Sequence, residues 1–521
     1  MSLSPRVPDP AQTAWPALLG LASLAVALHV VPDLFGGYGY FIDELYYISC
    51  ANRLAFGYVD HPPLAPLLLR AVTSVLGEGI MAIRLLPALA NGALLLLLGW
   101  LTARLGGGRF AQLLGGLATL ASPYLLLVFG FYSMNWLEPL IWTGLAALVV
   151  EMVRRDEPRL WLAFGALAGV GLETKHTVVT VAAALVVGVA LTPARRLLAS
   201  RWLWLGGLLA AALAAPNAIW QLAHDWPSLE FYRNANAFKN LPTPPLAVLA
   251  NQLIFMNPMT APVWLAGLGF ALFARDARGL RPIGWAYLLL LAALIAAQSS
   301  RPDRLGAIYP TLLAAGAVAL ERAGRSRRWL APTVLTLVLA GAVGFAPLGL
   351  PLLPPAALAR YVAAIGIVPQ IERGEGKRAE LPQWFADRFG WEELVAQVAE
   401  LHRSLPPHER DRTLVVAPSY GHAGAVELLW PGGDPPPVVS AHNNWFFWSR
   451  DVLATAPFDV AIGMDGREGL ARVYADVEQV ALYECDYCIA WRDEMPIYLA
   501  RNPQLGRSEL RTTWESARHF E

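Results

Sequence analysis

Charged residues are scarce in this chain of 521 residues: 15% are Asp, Glu, Lys or Arg, whereas 56% are hydrophobic. This composition lies outside the usual range of soluble globular proteins, so most of the chain is expected in lipid. The formal net charge is +0, and no basic surplus favours a nucleic-acid partner. The sequence therefore predicts a membrane protein that does not bind nucleic acid.

Cysteine is rare as well. Cys50, Cys485 and Cys488 are too few for a disulfide scaffold. Cys485 and Cys488 have the spacing of a redox or half-zinc motif, but no second pair exists to complete a zinc site of four cysteines. A local disulfide is the plainer explanation in an oxidising exterior. The chain also has no G-x-G-x-x-G, no P-loop and no H-E-x-x-H, so soluble nucleotide chemistry has no support.

Apolar runs of about 17–22 residues, long enough to cross a bilayer core, recur through the first two thirds of the chain. They predict about eleven transmembrane helices, near Trp15–Val31, Leu85–Leu101, Phe110–Phe129, Trp136–Val153, Leu160–Leu172, Val178–Leu191, Trp202–Leu222, Met259–Phe273, Ile283–Ala297, Leu305–Leu320 and Trp329–Phe345. The first run has no small-residue cleavage site, so we interpret it as a retained signal anchor. Alternate connections are rich in arginine and are predicted to face the cytoplasm.

The other connections then face outward, and most of the polar chemistry collects there. This set holds the first loop (32–84), the turn around Lys175, the connection from His224 to Asn257, the loop from Ser299 to Arg304, and the tail. We therefore expect a shared site on the outer face of a plasma or inner membrane, and an extracytoplasmic tail.

Three domains are predicted: a polytopic α-helical catalytic domain (1–346), a Pro-rich linker (347–380) and a small α/β domain (381–521). In the last, hydrophobic periodicity predicts helices and short buried strands. The predicted helices are Trp391–Leu401 and Gly466–Val477, and the predicted strands are Thr413–Ala417, Val438–Ala441 and Asp459–Met464.

The first outer loop brings Asp43, Glu44, Asp60 and His61 to one side of the membrane. Acids beside lipid are costly and suggest function by default, and an aromatic setting can tune a carboxylate as a base or ligand. The alternative is structural: Asp43 and Glu44 could cap one helix, and Asp60 another whose first turn holds the prolines after His61.

Basic residues also lie on the outer side, where topology does not favour them. Lys175 is a candidate phosphate contact, with pairing to Glu173 as the alternative. Arg301 and Arg304 raise the same possibility because something anionic should compensate them. Arg84, beside the re-entry into lipid, is more simply explained by snorkelling.

An ordered set of motifs resembles the type C (GT-C) membrane glycosyltransferases. The motifs are Asp43-Glu44, Asp60-His61-Pro62-Pro63-Leu64, Arg84-Leu85-Leu86-Pro87, Asn135-Trp136-Leu137-Glu138-Pro139, Gly171 with Lys175-His176-Thr177, and Tyr309-Pro310. The resemblance is to the bacterial branch akin to the dolichyl-phosphate-mannose protein mannosyltransferases (family 39) and the lipid A aminoarabinose transferase. It implies a polytopic helical fold, an active site in the first outer loop and a polyprenyl-phosphate sugar donor.

By matching motif positions, the resemblance assigns roles residue by residue. Asp43 takes the part of the acceptor-activating acid with Glu44 adjacent, and Asp60 and His61 stand where relatives have a second acid and a base. Arg84 matches an arginine after the first loop, and Lys175 and Tyr309 match residues beside the donor phosphate. His224 matches only through its place at the start of the long outer loop. Arg301 and Arg304 are predicted as phosphate contacts from charge and topology alone.

The expected reaction is a single inverting displacement, with Asp43 as base and cations stabilising the departing phosphate. The acceptor stays open among lipid, glycan and protein. The chain lacks the mid-chain soluble insertion of eukaryotic protein mannosyltransferases, which weakens the case for a protein acceptor. The sequence leaves metal dependence open: Asp60 and His61 could contribute ligands to a divalent metal, but no complete ligand set is found.

Two other classes of function compete with this prediction. A transporter or flippase of a lipid-linked envelope precursor also has many spans with charges, but it predicts ionisable residues near mid-membrane and an internal repeat. The sequence shows neither. A non-catalytic scaffold for envelope assembly, with the α/β domain as its binding part, is the third possibility.

Overall fold

A computed structural model describes residues 11–35, 37–239, 242–275, 277–298, 301, 303–367, 380–489 and 492–521. Its α-helices are, in chain order, α1 (Trp15–Phe35), α2 (Ile42–Asn52), α3 (Leu64–Leu76), α4 (Ile80–Arg104), α5 (Arg109–Leu120), α6 (Pro123–Val128), α7 (Glu138–Arg155), α8 (Leu160–Leu172), α9 (Val178–Ala190), α10 (Arg201–Ala223), α11 (Pro227–Asn234), α12 (Pro245–Phe255), α13 (Ala261–Phe273), α14 (Arg281–Ala296), α15 (Asp303–Gly306), α16 (Tyr309–Gly324), α17 (Leu330–Phe345), α18 (Pro355–Ala364), α19 (Gln383–Ala386), α20 (Trp391–Ser404), α21 (Pro407–Arg410), α22 (Tyr420–Leu429), α23 (Trp445–Thr455), α24 (Arg467–Ala471) and α25 (Arg507–Ser516). The strands are β1 (Thr413–Val416), β2 (Val438–Val439), β3 (Val460–Met464), β4 (Tyr474–Tyr483) and β5 (Met495–Pro503).

The chain divides into two compact units, and neither is continuous in sequence. Unit 1 comprises Met1–Gly36, Met81–Ile219 and Asn240–Leu352. Unit 2 comprises Gly37–Ile80, Trp220–Lys239 and Leu353–Glu521. The first loop is thus grouped with the C-terminal segment. Much of the predicted linker, residues 368–379, lies outside the described residues.

Unit 1 consists of apolar helices. Within the described residues, five segments are long and apolar enough to cross a membrane, and two bent helix pairs bring the number to seven. The five are Trp15–Phe35, Ile80–Arg104, Met134–Arg155, Arg201–Ala223 and Leu330–Leu348. One bent pair contains α9 and the other contains α13. The four other predicted spans coincide with shorter helices, namely α5 (12 residues), α8 (13 residues), α14 (16 residues) and α16 (16 residues). Every predicted span therefore falls on helix.

Small residues allow the closest helix crossing in this unit. A Cβ added at Gly267 of α13 would lie 1.9 Å from the Leu312 carbonyl oxygen, and one at Gly316 of α16 would lie 1.7 Å from that of Val263. Without an apolar driving force in lipid, helices associate through close van der Waals packing, which these glycines permit. The backbones of α13 and α16 therefore lie in direct contact.

Unit 2 contains a five-stranded sheet in the order β2-β1-β3-β5-β4. Strands β2, β1 and β3 are parallel, whereas β5 runs antiparallel to both β3 and β4. The predicted helix at Trp391 and the three predicted strands are present as α20, β1, β2 and β3. The C-terminal segment is therefore an α/β module, as predicted.

The predicted helix Gly466–Val477 is wrong beyond its first turns. Helix α24 ends at Ala471, and the chain continues as β4 from Tyr474 to Tyr483. Strand β5, absent from the prediction, pairs along the length of β4 and supplies the hydrogen bonds that make this segment extended. Tertiary pairing outweighs local preference here, as is common for strands.

A disulfide joins Cys485 to Cys488 in the connection between β4 and β5. It packs on Gly390, where an added Cβ would lie 2.5 and 2.6 Å from the two sulfur atoms. Gly390 also has a φ of +79°, a conformation that strongly favours glycine. Cys50 is free and buried in α2.

Helix α2 belongs to the hydrophobic core of unit 2. Leu45, Tyr46 and Cys50 are buried in one cluster with Trp391 of α20 and Ile462 of β3. The first loop is thus folded into the same core as the sheet, and this fixes the orientation of the acids that α2 carries.

Candidate functional site

Two acids of the first loop each accept a hydrogen bond from a tyrosine, of which Tyr46 is buried and Tyr420 is partly buried. The Tyr420 hydroxyl, at the start of α22, donates to Asp43 Oδ1 at 3.0 Å, and the Tyr46 hydroxyl donates to Asp60 Oδ1 at 2.8 Å. The two phenol rings pack against each other with centroids 4.7 Å apart. We call Asp43, Asp60, Tyr46 and Tyr420 the acidic cluster. It lies wholly within unit 2.

Both tyrosines keep their phenol protons at physiological pH and therefore act as hydrogen-bond donors. Burial, and then the nearby carboxylate of Asp43, raise the pKa of Tyr420 well above its usual value. Burial, followed by the charge of Asp60, does the same to the pKa of Tyr46. A phenol that keeps its proton donates its hydrogen bond to the carboxylate oxygen, so each tyrosine is the donor in its pair.

Glu44 has a structural part. Its carboxylate is fully buried, and Oε2 accepts the backbone N–H of Phe41 at 2.8 Å, which closes the first turn of α2. The capping alternative for the Asp-Glu pair therefore applies to Glu44. Asp43 instead accepts a hydrogen bond from the phenol of Tyr420, on a helix distant in sequence.

His61 lies in an aromatic core beside Asp60. Its ring is stacked on Tyr47 with centroids 4.4 Å apart, and its side chain has no exposed surface. Nδ1 lies 2.9 Å from the Pro62 carbonyl oxygen, which can only accept, so this nitrogen carries the proton. Nε2 then faces Asp60 Oδ1 at 4.0 Å. His61 packs around Asp60 as part of the core.

The backbone just before Asp60 is fixed by side chains from two later segments. Gln221 Nε2 donates to the Tyr58 carbonyl at 3.0 Å, and the Ser228 hydroxyl donates to the Val59 carbonyl at 2.7 Å. The Val59 N–H donates to Asn444 Oδ1 at 3.2 Å. Satisfying these buried groups sets the register of the loop that presents Asp60.

Lys175 lies in a second polar cluster, in unit 1. Its Nζ donates to Glu138 Oε2 at 2.7 Å and to Asn135 Oδ1 at 2.8 Å, and Thr177 donates to the other Glu138 oxygen. The Lys175 side chain is 13% exposed. The expected pairing with Glu173 is wrong, because α7 brings Glu138 to the turn between α8 and α9. We call Lys175, Glu138, Asn135 and Thr177 the lysine cluster.

Tyr309 and Arg84 are buried and bonded within unit 1. The Tyr309 hydroxyl donates to Gln252 Oε1 at 3.0 Å and lies 3.2 Å from that of Tyr287. Arg84 Nη1 lies 2.7 Å from Asp33 Oδ1, and its side chain is 3% exposed. The expectation that Arg84 snorkels toward water is therefore wrong, since a carboxylate inside the unit satisfies it.

The remaining predicted residues have less defined settings. Arg301 is half-buried and Arg304 is exposed, and Ser299, Ser300 and Pro302 of the same loop lie outside the described residues. His224 stacks on Trp220 with centroids 4.0 Å apart, which is the setting of a packed side chain.

The ten predicted residues fall into two sets. Unit 2 holds Asp43, Glu44, Asp60, His61 and His224, and unit 1 holds Arg84, Lys175, Arg301, Arg304 and Tyr309. The unpredicted partners are Tyr46, Tyr420, Glu138, Asn135, Gln252 and Tyr287. Asn135 and Glu138 stood in one of the motifs, so only their pairing was missed, whereas no local signal marked Tyr420.

The described parts of the chain contain no group of three or more His, Cys, Asp or Glu side chains that could hold a metal ion. Asp60 and His61 supply two such groups, and His61 Nε2 is enclosed by the core. These residues do not fit a metal centre of their own.

Unit 1 is a set of apolar helices that contains the ion pair of Lys175 and Glu138. In unit 2, the α/β module shares one hydrophobic core with the first loop. This combination is the architecture predicted for a GT-C fold. Residues 60–220 match the family model described as dolichyl-phosphate-mannose-protein mannosyltransferase. The chain is 30% identical over 193 residues to the lipid A galacturonosyltransferase RgtD of Rhizobium johnstonii. This alignment covers 37% of the chain and 40% of that relative's length.

Solved structures agree with the fold over nearly the whole chain. ArnT from Cupriavidus metallidurans bound to undecaprenyl phosphate superposes with a TM-score of 0.59 at 15% identity, covering 94% of this chain and 98% of that one. The arabinofuranosyltransferase AftD from Mycobacteria gives a TM-score of 0.52 at 15% identity, covering 95% of this chain and 40% of that one. The matches confirm the predicted GT-C fold and the resemblance. The chain is a multi-pass membrane protein with a fold similar to that of ArnT.

Proposed function

We propose that this protein transfers a sugar from a polyprenyl-phosphate donor to an acceptor at the outer face of the membrane. Asp43 is the base in this proposal. The observation that carries it is the hydrogen-bonded setting of Asp43, whose carboxylate accepts the Tyr420 phenol at 3.0 Å. A base that must meet one hydroxyl needs this kind of preset orientation.

The bond changes balance without a nucleotide or a metal. As the acceptor oxygen attacks the anomeric carbon, Asp43 takes its proton, the bond from carbon to phosphate oxygen breaks, and polyprenyl phosphate leaves. One displacement inverts the anomeric configuration. The phosphate is already a good leaving group, so cations that stabilise its charge complete the requirements.

The lysine cluster supports a phosphate-binding part for Lys175. An ammonium has three N–H donors, of which Glu138 and Asn135 engage two. The side chain is held in place by an ion pair yet retains some exposure, at 13%. Arg301 and Arg304 are proposed to add charge on the same phosphate.

Apolar surface near this turn suits a lipid-linked donor. A cavity between α8, α9 and α10 is lined almost wholly by apolar side chains, including Leu172 and Val178, which flank the turn that carries Lys175. An isoprenoid chain is the kind of group that such a lining accommodates. ArnT, whose structure contains undecaprenyl phosphate, supports the same donor class.

The test is transfer by the purified full-length protein in detergent or nanodiscs. Polyprenyl-phosphate-linked hexoses and pentoses are supplied with lipid A, glycan and peptide acceptors, and both glycosylated acceptor and released polyprenyl phosphate are measured. Lipid A is the first acceptor to try because RgtD, by its name, acts on it.

Asp43→Asn should abolish turnover while leaving donor binding and folding intact, because the amide cannot accept the proton. Asp434→Asn, an exposed acid of the same unit, is the matched control and should retain full activity. Full turnover by Asp43→Asn would eliminate it as base. Absence of transfer by the wild-type protein, together with donor movement across proteoliposome membranes, would favour a flippase instead.

A further inference from the structure

We infer that Tyr420 is a positioning residue for Asp43, so that the C-terminal α/β module orients the carboxylate of the proposed base. The inference rests on the proposed function, because it takes Asp43 as the base. The α/β module, predicted from the sequence as a separate domain, then acts on the reaction indirectly, by orienting Asp43.

Two other aromatic rings pack against the Tyr420 phenol ring. Tyr46 packs with its centroid 4.7 Å away, and His442 lies at 4.8 Å. Because Tyr46 also donates to Asp60, the two phenols and the two carboxylates form one connected arrangement. A donor held in this way restricts the rotation of the Asp43 carboxylate.

The helix that carries Tyr420 is itself anchored along α2. A Cβ added at Gly424 would lie 2.7 Å from the Leu45 carbonyl oxygen, so the two helices are in backbone contact. Two turns after Tyr420, Glu427 accepts a hydrogen bond from Ser49 at 2.8 Å and forms an ion pair with Arg53. The separation between the Tyr420 and Asp43 backbones is thereby set at several points.

Removing the phenol hydroxyl should change both rate and pH dependence. A hydrogen bond to a carboxylate favours its charged form, so an Asp43 that loses this donor keeps its proton to higher pH. The acid limb of the pH–rate profile should then move to higher pH. The charged and titratable groups that face Tyr420 are Asp43, Asp60 and Asp387, with the His442 ring against it.

The experiment compares Tyr420→Phe with the wild type in the full-length enzyme. We expect kcat to fall about ten- to hundredfold, the range of a hydrogen bond to a charged group, with donor KM unchanged and the acid limb displaced upward. Tyr474→Phe is the matched control, because Tyr474 is a buried tyrosine of the same module whose hydroxyl donates to the Phe458 carbonyl. It should keep the wild-type kcat and pH profile.

Each outcome decides the inference. A Tyr420→Phe enzyme with wild-type kcat overturns it, and so does one whose kcat falls while the acid limb stays in place, because that result indicates a structural role only. In both cases a dead Asp43→Asn enzyme leaves the proposed function standing. No transfer by the wild type with any donor removes both proposals.

Discussion

The contact between α22 and α2 yields a stability prediction that can be worked through from the structure. In Gly424→Ala, the new methyl group would lie 2.7 Å from the Leu45 carbonyl oxygen and 2.9 Å from its carbon. The obstacle is backbone, so the helices must separate. Overpacking of this kind costs about 1–3 kcal/mol, and the better helix propensity of alanine returns about 1 kcal/mol.

The expected net loss is therefore about 0–2 kcal/mol, a factor of up to about 30 in the population of the open form. Cys50 reports it directly. It is fully buried on α2, and it is the free thiol of a chain whose other two cysteines form a disulfide. Maleimide labelling of native protein in detergent should accelerate by the same factor when opening precedes a slow reaction.

Gly469→Ala provides the matched control. Gly469 is also a glycine within a helix of the same module, but an added Cβ there has nothing within 4 Å. Its substitution should leave Cys50 labelling unchanged or slow it. If Gly424→Ala labels at the rate of Gly469→Ala, the backbones of α2 and α22 are not in close contact, and such a contact does not orient Asp43.

Two further predictions concern charged pairs. Lys175→Met should destabilise the protein and abolish transfer, because it leaves Glu138 buried without its cation. Adding Glu138→Gln should restore the thermal unfolding midpoint but not activity. A double variant that transfers sugar would exclude Lys175 as a phosphate ligand. Glu427→Gln should accelerate Cys50 labelling only a few-fold, since its ion pair with Arg53 is about one-third exposed and such pairs contribute about 0–1 kcal/mol. High salt should accelerate the wild type but not this variant, and equal salt responses would contradict the ionic contribution.

Patterns local in sequence predicted the helices well and the final strands poorly. Each of the eleven predicted hydrophobic runs falls on helix, because burial in lipid requires the same composition wherever the segment lies. The first residues of strand β4, Tyr474 to Val477, were predicted as helix, since their pairing with β5 depends on a partner more distant in the chain.

The acids of the first loop were found for a physical reason, because carboxylates beside apolar spans are costly and rarely retained without use. Their partners were not found. Tyr420 lies 377 residues from Asp43 in sequence, and Glu138 lies 37 residues before Lys175. Nothing near Lys175 distinguishes pairing with Glu138 from pairing with Glu173.

The sequence by itself determined that this protein is a helical membrane protein, and its motif order predicted a GT-C fold with Asp43 and Lys175 among the polar residues of interest. These properties follow from composition and motif order, which are read residue by residue. Only the tertiary structure decided which groups hold them. A hydrogen bond is made over about 3 Å in space, and the fold alone brings Tyr420 to Asp43 and Glu138 to Lys175.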